Sequence, residues 1–228
     1  MNLAEHYDQL YTGSVARILA GNYETDPLIN DETDKRFGIT LVIRPDQATN
    51  TQIQQFLTEV KAIEPNQYFY QNSDIHITLM SIISCYKGFD LKDIHVQDYV
   101  SLIQKVLVRH QGFKIQFKGL TASPSCVLVQ GFLTETLNQI RDDLRNVFKK
   151  SDLQQSIDKR YAIQTAHATI VRFRKPLQNP AALVNLLEKY HDFDFGIFEV
   201  KQVELVYNDW YQRARFVKKL HVFAMEKS

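Results

Sequence analysis

Apolar positions recur along this chain with two different periods, and the switching between them lays out most of its elements. Leu3, Tyr7, Leu10, Tyr11, Ile18 and Leu19 fall at helical spacing with Gly21 as a stop, which predicts a first helix. The polar, turn-rich stretch 22–36 reads as a loop crossing the surface. Phe37 to Arg44 is strand-like and ends at Pro45. Ile53, Phe56, Leu57, Val60 and Ile63 then mark an amphipathic helix that stops before Pro65. Residues 75–84 have a strand pattern, and Tyr99, Leu102, Ile103, Val106 and Leu107 predict a helix over 96–110. Strands follow at 113–120 and 126–131, joined through Ser123-Pro124-Ser125, then a long helix over 134–149. After a polar loop at 151–162 come a strand at 163–173, a helix near 181–190 and two closing strands, 195–206 and 215–226.

This order gives two similar halves that each mix strands and helices, and no Pro/Gly/Ser linker separates them. The expected class is α+β, one compact body with two pseudo-equivalent lobes. At 228 residues the chain is long enough to remove about 70% of its surface from water, so a core forms without staples. Hydrophobic residues at 44% and charged residues at 23% argue against disorder. Lys+Arg 27 against Asp+Glu 26 leaves net +1, which excludes coating of nucleic acid by bulk charge. An anionic ligand must therefore be gripped locally. The two cysteines, Cys85 and Cys126, are too few for a disulfide framework and form no CxxC pair, so two reduced, buried thiols are expected. The first residues lack a basic region followed by an apolar one, and no apolar run approaches the ~20 residues of a membrane span. The expected compartment is the cytoplasm, with no membrane partner.

The candidate chemistry is a repeated tripeptide: His76-Ile77-Thr78 in the first half and His167-Ala168-Thr169 in the second. Side chains alternate along a strand, so His76 and Thr78 share one face while Ile75, Ile77 and Leu79 take the other. The second copy repeats this, with Ala166, Ala168 and Ile170 opposite His167 and Thr169. If the halves are related by a pseudo-twofold, two imidazoles and two hydroxyls face each other across a cleft. One imidazole can take a proton from an attacking hydroxyl or water while the other protonates the leaving oxygen. The hydroxyls can donate to non-bridging phosphoryl oxygens and stabilise the transition state. That chemistry needs no metal and no cofactor. Arg172 has a guanidinium fork that fits phosphate, although strict alternation puts it on the face opposite His167. Tyr68, Phe69 and Tyr70 precede the first tripeptide and Trp210-Tyr211 lie near the end; aromatics at a cleft rim can stack a nucleobase. His6, His95, His110, His191 and His221 have no matching partner and read as structural or exposed.

These residues resemble the 2H phosphoesterase superfamily, in particular its bacterial 2′-5′ RNA ligase/cyclic phosphodiesterase branch. The signature is two His-x-Thr/Ser-hydrophobic motifs, here His76-Ile77-Thr78-Leu79 and His167-Ala168-Thr169-Ile170. Arg172 stands five residues after the second histidine, as in the bacterial branch, while the proline common before that histidine is Ala166 here. The resemblance covers about residues 37–228, which leaves 1–36 as an N-terminal helix and loop extension to a single bilobal domain. It implies two lobes of mostly antiparallel sheet with helices outside and a central cleft. It also implies activity on 2′,3′-cyclic or 2′-5′ phosphodiesters of RNA or nucleotides. In that reading His76, Thr78, His167 and Thr169 are catalytic, Arg172, Tyr70 and Tyr211 bind substrate, and for cyclic-phosphate hydrolysis His76 is the acid and His167 the base. Two other readings stand beside it: a nucleotide-binding module without turnover, and a sugar-directed acid–base catalyst of the mutarotase type.

Overall fold

A computed structural model describes residues 2–133, 135–160 and 162–226. Helix α1 spans Leu3–Leu19; the Asn2 side chain accepts from the Ala4 amide at its start, and Gly21 at φ +72 follows its end. Strand β1 (Arg36–Ile43) leads to α2 (Gln47–Ile63), which is capped by Asp46. Next come the short β2 (Tyr68–Phe69), β3 (Ile77–Lys87), α3 (Val96–Leu107), β4 (Phe113–Ser123) and β5 (Cys126–Leu133). The chain continues through α4 (Glu135–Lys149), β6 (Ala168–Arg172) and α5 (Pro180–Lys189). It closes with β7 (Asp194–Val200), β8 (Gln202–Asp209) and β9 (Lys218–Ala224).

The nine strands join in the order β7-β4-β5-β6-β3-β1-β8-β9, with β2 added on β6, and every named pair is antiparallel. The fold is thus α+β, with two four-stranded arrays meeting at the β6–β3 seam. That seam has a single residue partnership, Ile77 with Ala168. The arrays therefore splay apart on either side of it and leave a cleft between them. Helices pack on the outside, α1 on β4 and α5, α2 on β7, α3 on α4 and β9. The apolar stripes that predicted them face inward: Ile53, Phe56, Leu57 and Val60 of α2 are all fully buried.

The lobes are not the two halves of the sequence. The apolar run 195–206, read as one strand, is two: β7 pairs with β4 in one lobe, and β8 pairs with β1 in the other. The chain changes lobe at Lys201, whose carbonyl accepts from the Met225 amide, and no Gly or Pro marks the break. The strand expected over 163–173 shortens to Ala168–Arg172. Segment 22–36 is also more than a surface loop. Glu24 and Asp26 donate their amides to the Pro124 and Phe173 carbonyls, and Ile29 is fully buried. Both cysteines are free and buried. Among the described residues no helix is long and apolar enough to cross a membrane.

Candidate active site

The seam explains how the two tripeptides meet. Ile77 and Ala168, the middle residues, pair across antiparallel strands. In that register His76 falls opposite Thr169, and Thr78 opposite His167. Both middle residues are fully buried, so the flanking histidines and threonines turn to the other face, where all four are half-buried and line one cleft. The same cleft is lined by Arg172, Tyr70 and Tyr211. The seven residues given a catalytic or substrate-binding role from the sequence thus come together with Trp210, while Tyr68 and Phe69 stay outside the cleft.

Each imidazole is oriented by a partner two residues upstream. His76 Nδ1 lies 2.7 Å from the Asp74 carbonyl, which can only accept, so Nδ1 carries the proton and Nε2 is left for the cleft. His167 Nδ1 lies 2.6 Å from the Thr165 hydroxyl, which itself reaches the Tyr7 phenol of α1. Both histidines are pushed down from 6.5 to about 4. Burial is the main cause for each; Arg44 adds to it at His76, and Arg141 and His6 add to it at His167. Near neutral pH the protein's own groups therefore leave both imidazoles uncharged.

Arg172 reaches the cleft because β6 is bulged. Val127 pairs with Val171 but Leu128 pairs with Thr169, so Ile170 is an extra residue, and both Ile170 and Val171 are buried. The bulge resets the alternation and turns Arg172 to the same side as His167. Its guanidinium sits 3.6 Å from Asp26 and 5.5 Å from the Tyr211 ring centre, and its Nε has no partner. The strap 22–36 thereby supplies a carboxylate to the site.

Tyr70 and Tyr211 are not rim aromatics with open faces; they are 2% and 1% exposed. Tyr211 donates to Asp26 at 2.8 Å, accepts from Arg36 at 3.2 Å, and lies under the guanidiniums of Arg36, Arg172 and Arg213. Tyr70 bonds Arg172. Tyr211 acts as a floor that holds arginines. The half-buried aromatic of the cleft wall is Trp210, with Arg160 at 4.4 Å and Arg36 at 4.9 Å from its ring centre.

Arg141 was missed in the sequence. It lies on the apolar face of α4 with Leu137, Ile140 and Leu144, and it is fully buried. It donates to the carbonyls of Thr78, Leu79 and Thr165, so one guanidinium ties together the backbones of both motif segments. A charge at a core position of an otherwise amphipathic helix was the available signal. Burial pushes Arg141 down to about 10. Segment 151–162, read only as a polar loop, is also part of the site. Ser156 bonds the β3 backbone at Ile82 and Ser84, which brings Ser156, Asp158 and Arg160 to the cleft. Of the remaining histidines, His110 pairs with Asp143 and His95 with Asp98, away from it.

A family model described as the 2′-5′ RNA ligase superfamily matches residues 48–211. Among solved structures, TT0787 of Thermus thermophilus superposes with a TM-score of 0.63 at 13% identity, over 83% of this chain and 98% of that one. E. coli LigT complexed with 3′-AMP gives 0.53 at 14% identity over 85% and 99%, and LigT complexed with NADP+ gives 0.54 at 15% over the same shares. These likenesses are of fold. No curated protein matches by sequence.

Proposed function

Because the chain belongs to the 2′-5′ RNA ligase superfamily, we propose that it is a metal-independent phosphoesterase of nucleotides or RNA ends, acting on 2′,3′-cyclic phosphate or 2′-5′ phosphodiester bonds through paired histidines. The observation that carries this reading is the one-residue seam, Ile77 with Ala168, which gathers His76, Thr78, His167 and Thr169 in one cleft. LigT, a structural neighbour, is complexed with 3′-AMP in one structure and NADP+ in another, which favours a nucleotide as ligand.

In cyclic-phosphate hydrolysis His167 takes a proton from water as its oxygen bonds to phosphorus. The bond to one ribose oxygen breaks, and His76 gives that oxygen a proton. Thr78 and Thr169 donate to the non-bridging oxygens, and Arg172 balances their charge. The Asp74 carbonyl on Nδ1 favours the charged form of His76, which suits the acid role. Ligation runs the same steps backwards with the roles exchanged.

The acid must gain a proton that the protein's own groups do not hold on it at neutral pH. An anionic phosphate between the imidazoles supplies the attraction for it. The kcat/KM profile, which follows the free enzyme, should therefore peak at lower pH than the kcat profile, which follows the complex. The deciding experiment is a turnover screen of 2′,3′-cyclic mononucleotides and 2′-5′-linked dinucleotides in EDTA, with product regiochemistry recorded. Turnover that survives EDTA supports the reading. Binding of these compounds with no turnover leaves a nucleotide-binding module instead, and loss of activity restored by a divalent ion ends the two-histidine mechanism.

A further inference from the structure

One residue of the cleft has no role in proton transfer and carries two unfavourable features. Gln212 sits at φ +59, a left-handed conformation that side-chain-bearing residues rarely adopt. It is 4% exposed, its Oε1 is buried without a partner, and its side chain makes no hydrogen bond among the described residues. Unpaired buried amides and left-handed glutamines are both costly, and both cluster at sites that meet a ligand.

The surrounding turn is rigid. Gln212 donates its amide to the Asp209 carbonyl. Asp209 and Arg213, 2% and 4% exposed, bracket the turn: the Arg213 amide and Nε donate to the Asp209 carboxylate at 2.8 and 2.7 Å. Arg213 also donates to the Ile29 carbonyl at 2.6 Å. This buried ion pair presents Trp210, Tyr211 and Gln212 to the cleft as a unit.

We infer that Gln212 sets the base specificity of this cleft, its side-chain amide pairing with the donor–acceptor edge of a nucleobase stacked on Trp210. The inference rests on the nucleotide reading of the site given above. A primary amide offers a donor and an acceptor side by side, and the Watson–Crick edge of each base offers adjacent groups of the complementary kinds in an order that differs between bases. An ionised phosphate offers only acceptors and cannot satisfy Oε1, so the missing partner belongs to another part of the ligand. Trp210 provides the flat surface. The exposed Arg160 guanidinium now covers one of its faces, and a base takes that place.

Trp210 is the only tryptophan in the chain, so its fluorescence reads stacking directly. The four nucleoside 3′-monophosphates and inorganic phosphate are the probes. The nucleotides should quench Trp210 and inorganic phosphate should not, and their affinities should spread by about tenfold across the four bases. Gln212→Gly tests the side chain without backbone strain, because glycine adopts this φ freely. It should keep the melting temperature and reduce the spread to about twofold, and Gln212→Asn should fall between the two. A spread that survives Gln212→Gly, or binding without quenching, overturns the inference. So does a uniform loss of affinity, which would mean that Gln212 meets the ribose. Quenching with a Gln212-dependent spread but no turnover of cyclic nucleotides would sink the phosphoesterase reading and leave this one standing. Turnover that is indifferent to base and to Gln212 does the reverse.

Discussion

The two motif segments, 74–78 and 165–169, place the same residue types in matching register, yet the protein supports them by different means. In the first, main chain fixes the imidazole, through the carbonyl of Asp74 in the turn before β3. Asp74 is in turn pinned by its side chain, which accepts from Ser73 and from the Ala214 amide. In the second, a side chain does this: the hydroxyl of Thr165, while Arg141 ties both segments together. Thr165 holds His167, Tyr7 of α1 backs Thr165, and Arg141 of α4 grips the Thr165 carbonyl. A carbonyl accepts only and favours an imidazolium, whereas a hydroxyl can accept or donate and leaves the ring's proton less constrained. Two copies that look equivalent in the sequence therefore differ in what orients the ring and fixes its proton, although burial holds both rings at about 4.

The strongest way to break this comparison is to remove each imidazole in turn. His76→Ala and His167→Ala should each lower kcat by about 10²–10⁴-fold. If His76 is the acid, its loss should flatten the alkaline limb of the pH profile, and loss of His167 the acidic limb. Near-wild-type rates in both variants would make the histidines structural.

Arg141 tests the helix-borne support. Arg141→Ala leaves the Thr78, Leu79 and Thr165 carbonyls without their donor, and it should cost about 3–5 kcal/mol in denaturant unfolding. Removing this positive neighbour should also raise the pKa of His167 and leave that of His76 unchanged, as followed by NMR titration. Equal shifts at both rings would contradict the asymmetry.

Acid stability follows from the depressed histidines. In the unfolded chain an imidazole titrates near 6.5, and in the fold each titrates at about 4. The unfolded state binds more protons between those values, so stability is complete above pH ~6.5 and declines as pH falls towards 4. Each ring contributes at most about 3 kcal/mol to that loss. His76→Gln and His167→Gln should each flatten the stability–pH curve between pH 6.5 and 4 in urea titrations. An unchanged curve would mean that the rings titrate normally.

The smallest effect sharpens the comparison most. Thr165→Val removes the hydrogen bond to His167 and should lower kcat about fivefold, on the order of one neutral hydrogen bond. The first motif has no counterpart to this substitution, because its partner is main chain.

Much of this protein was legible without a structure. Strand alternation placed His76 with Thr78 and His167 with Thr169, and helical spacing located all five α-helices to within a few residues. Those are local properties: a residue's face follows from its position in a repeating backbone, whatever the strand later pairs with. Arg172 shows where that logic ends. Alternation put it on the wrong face, because the bulge at Ile170 depends on how β5 pairs with β6. The run 195–206 looked continuous because both of its parts are apolar; its division at Lys201 reflects two different partners, β4 and β1. Tyr70 and Tyr211 were read as rim aromatics, and only packing shows both buried, Tyr211 beneath arginines. Arg141 and Gln212 acquire meaning from carbonyls and a cleft contributed by residues far away in the chain. The sequence by itself thus determined which chemical groups the protein has and which side of each strand or helix they occupy. Tertiary structure decided which groups meet, because strand partners, bulges and buried hydrogen bonds are set by segments that no local pattern records.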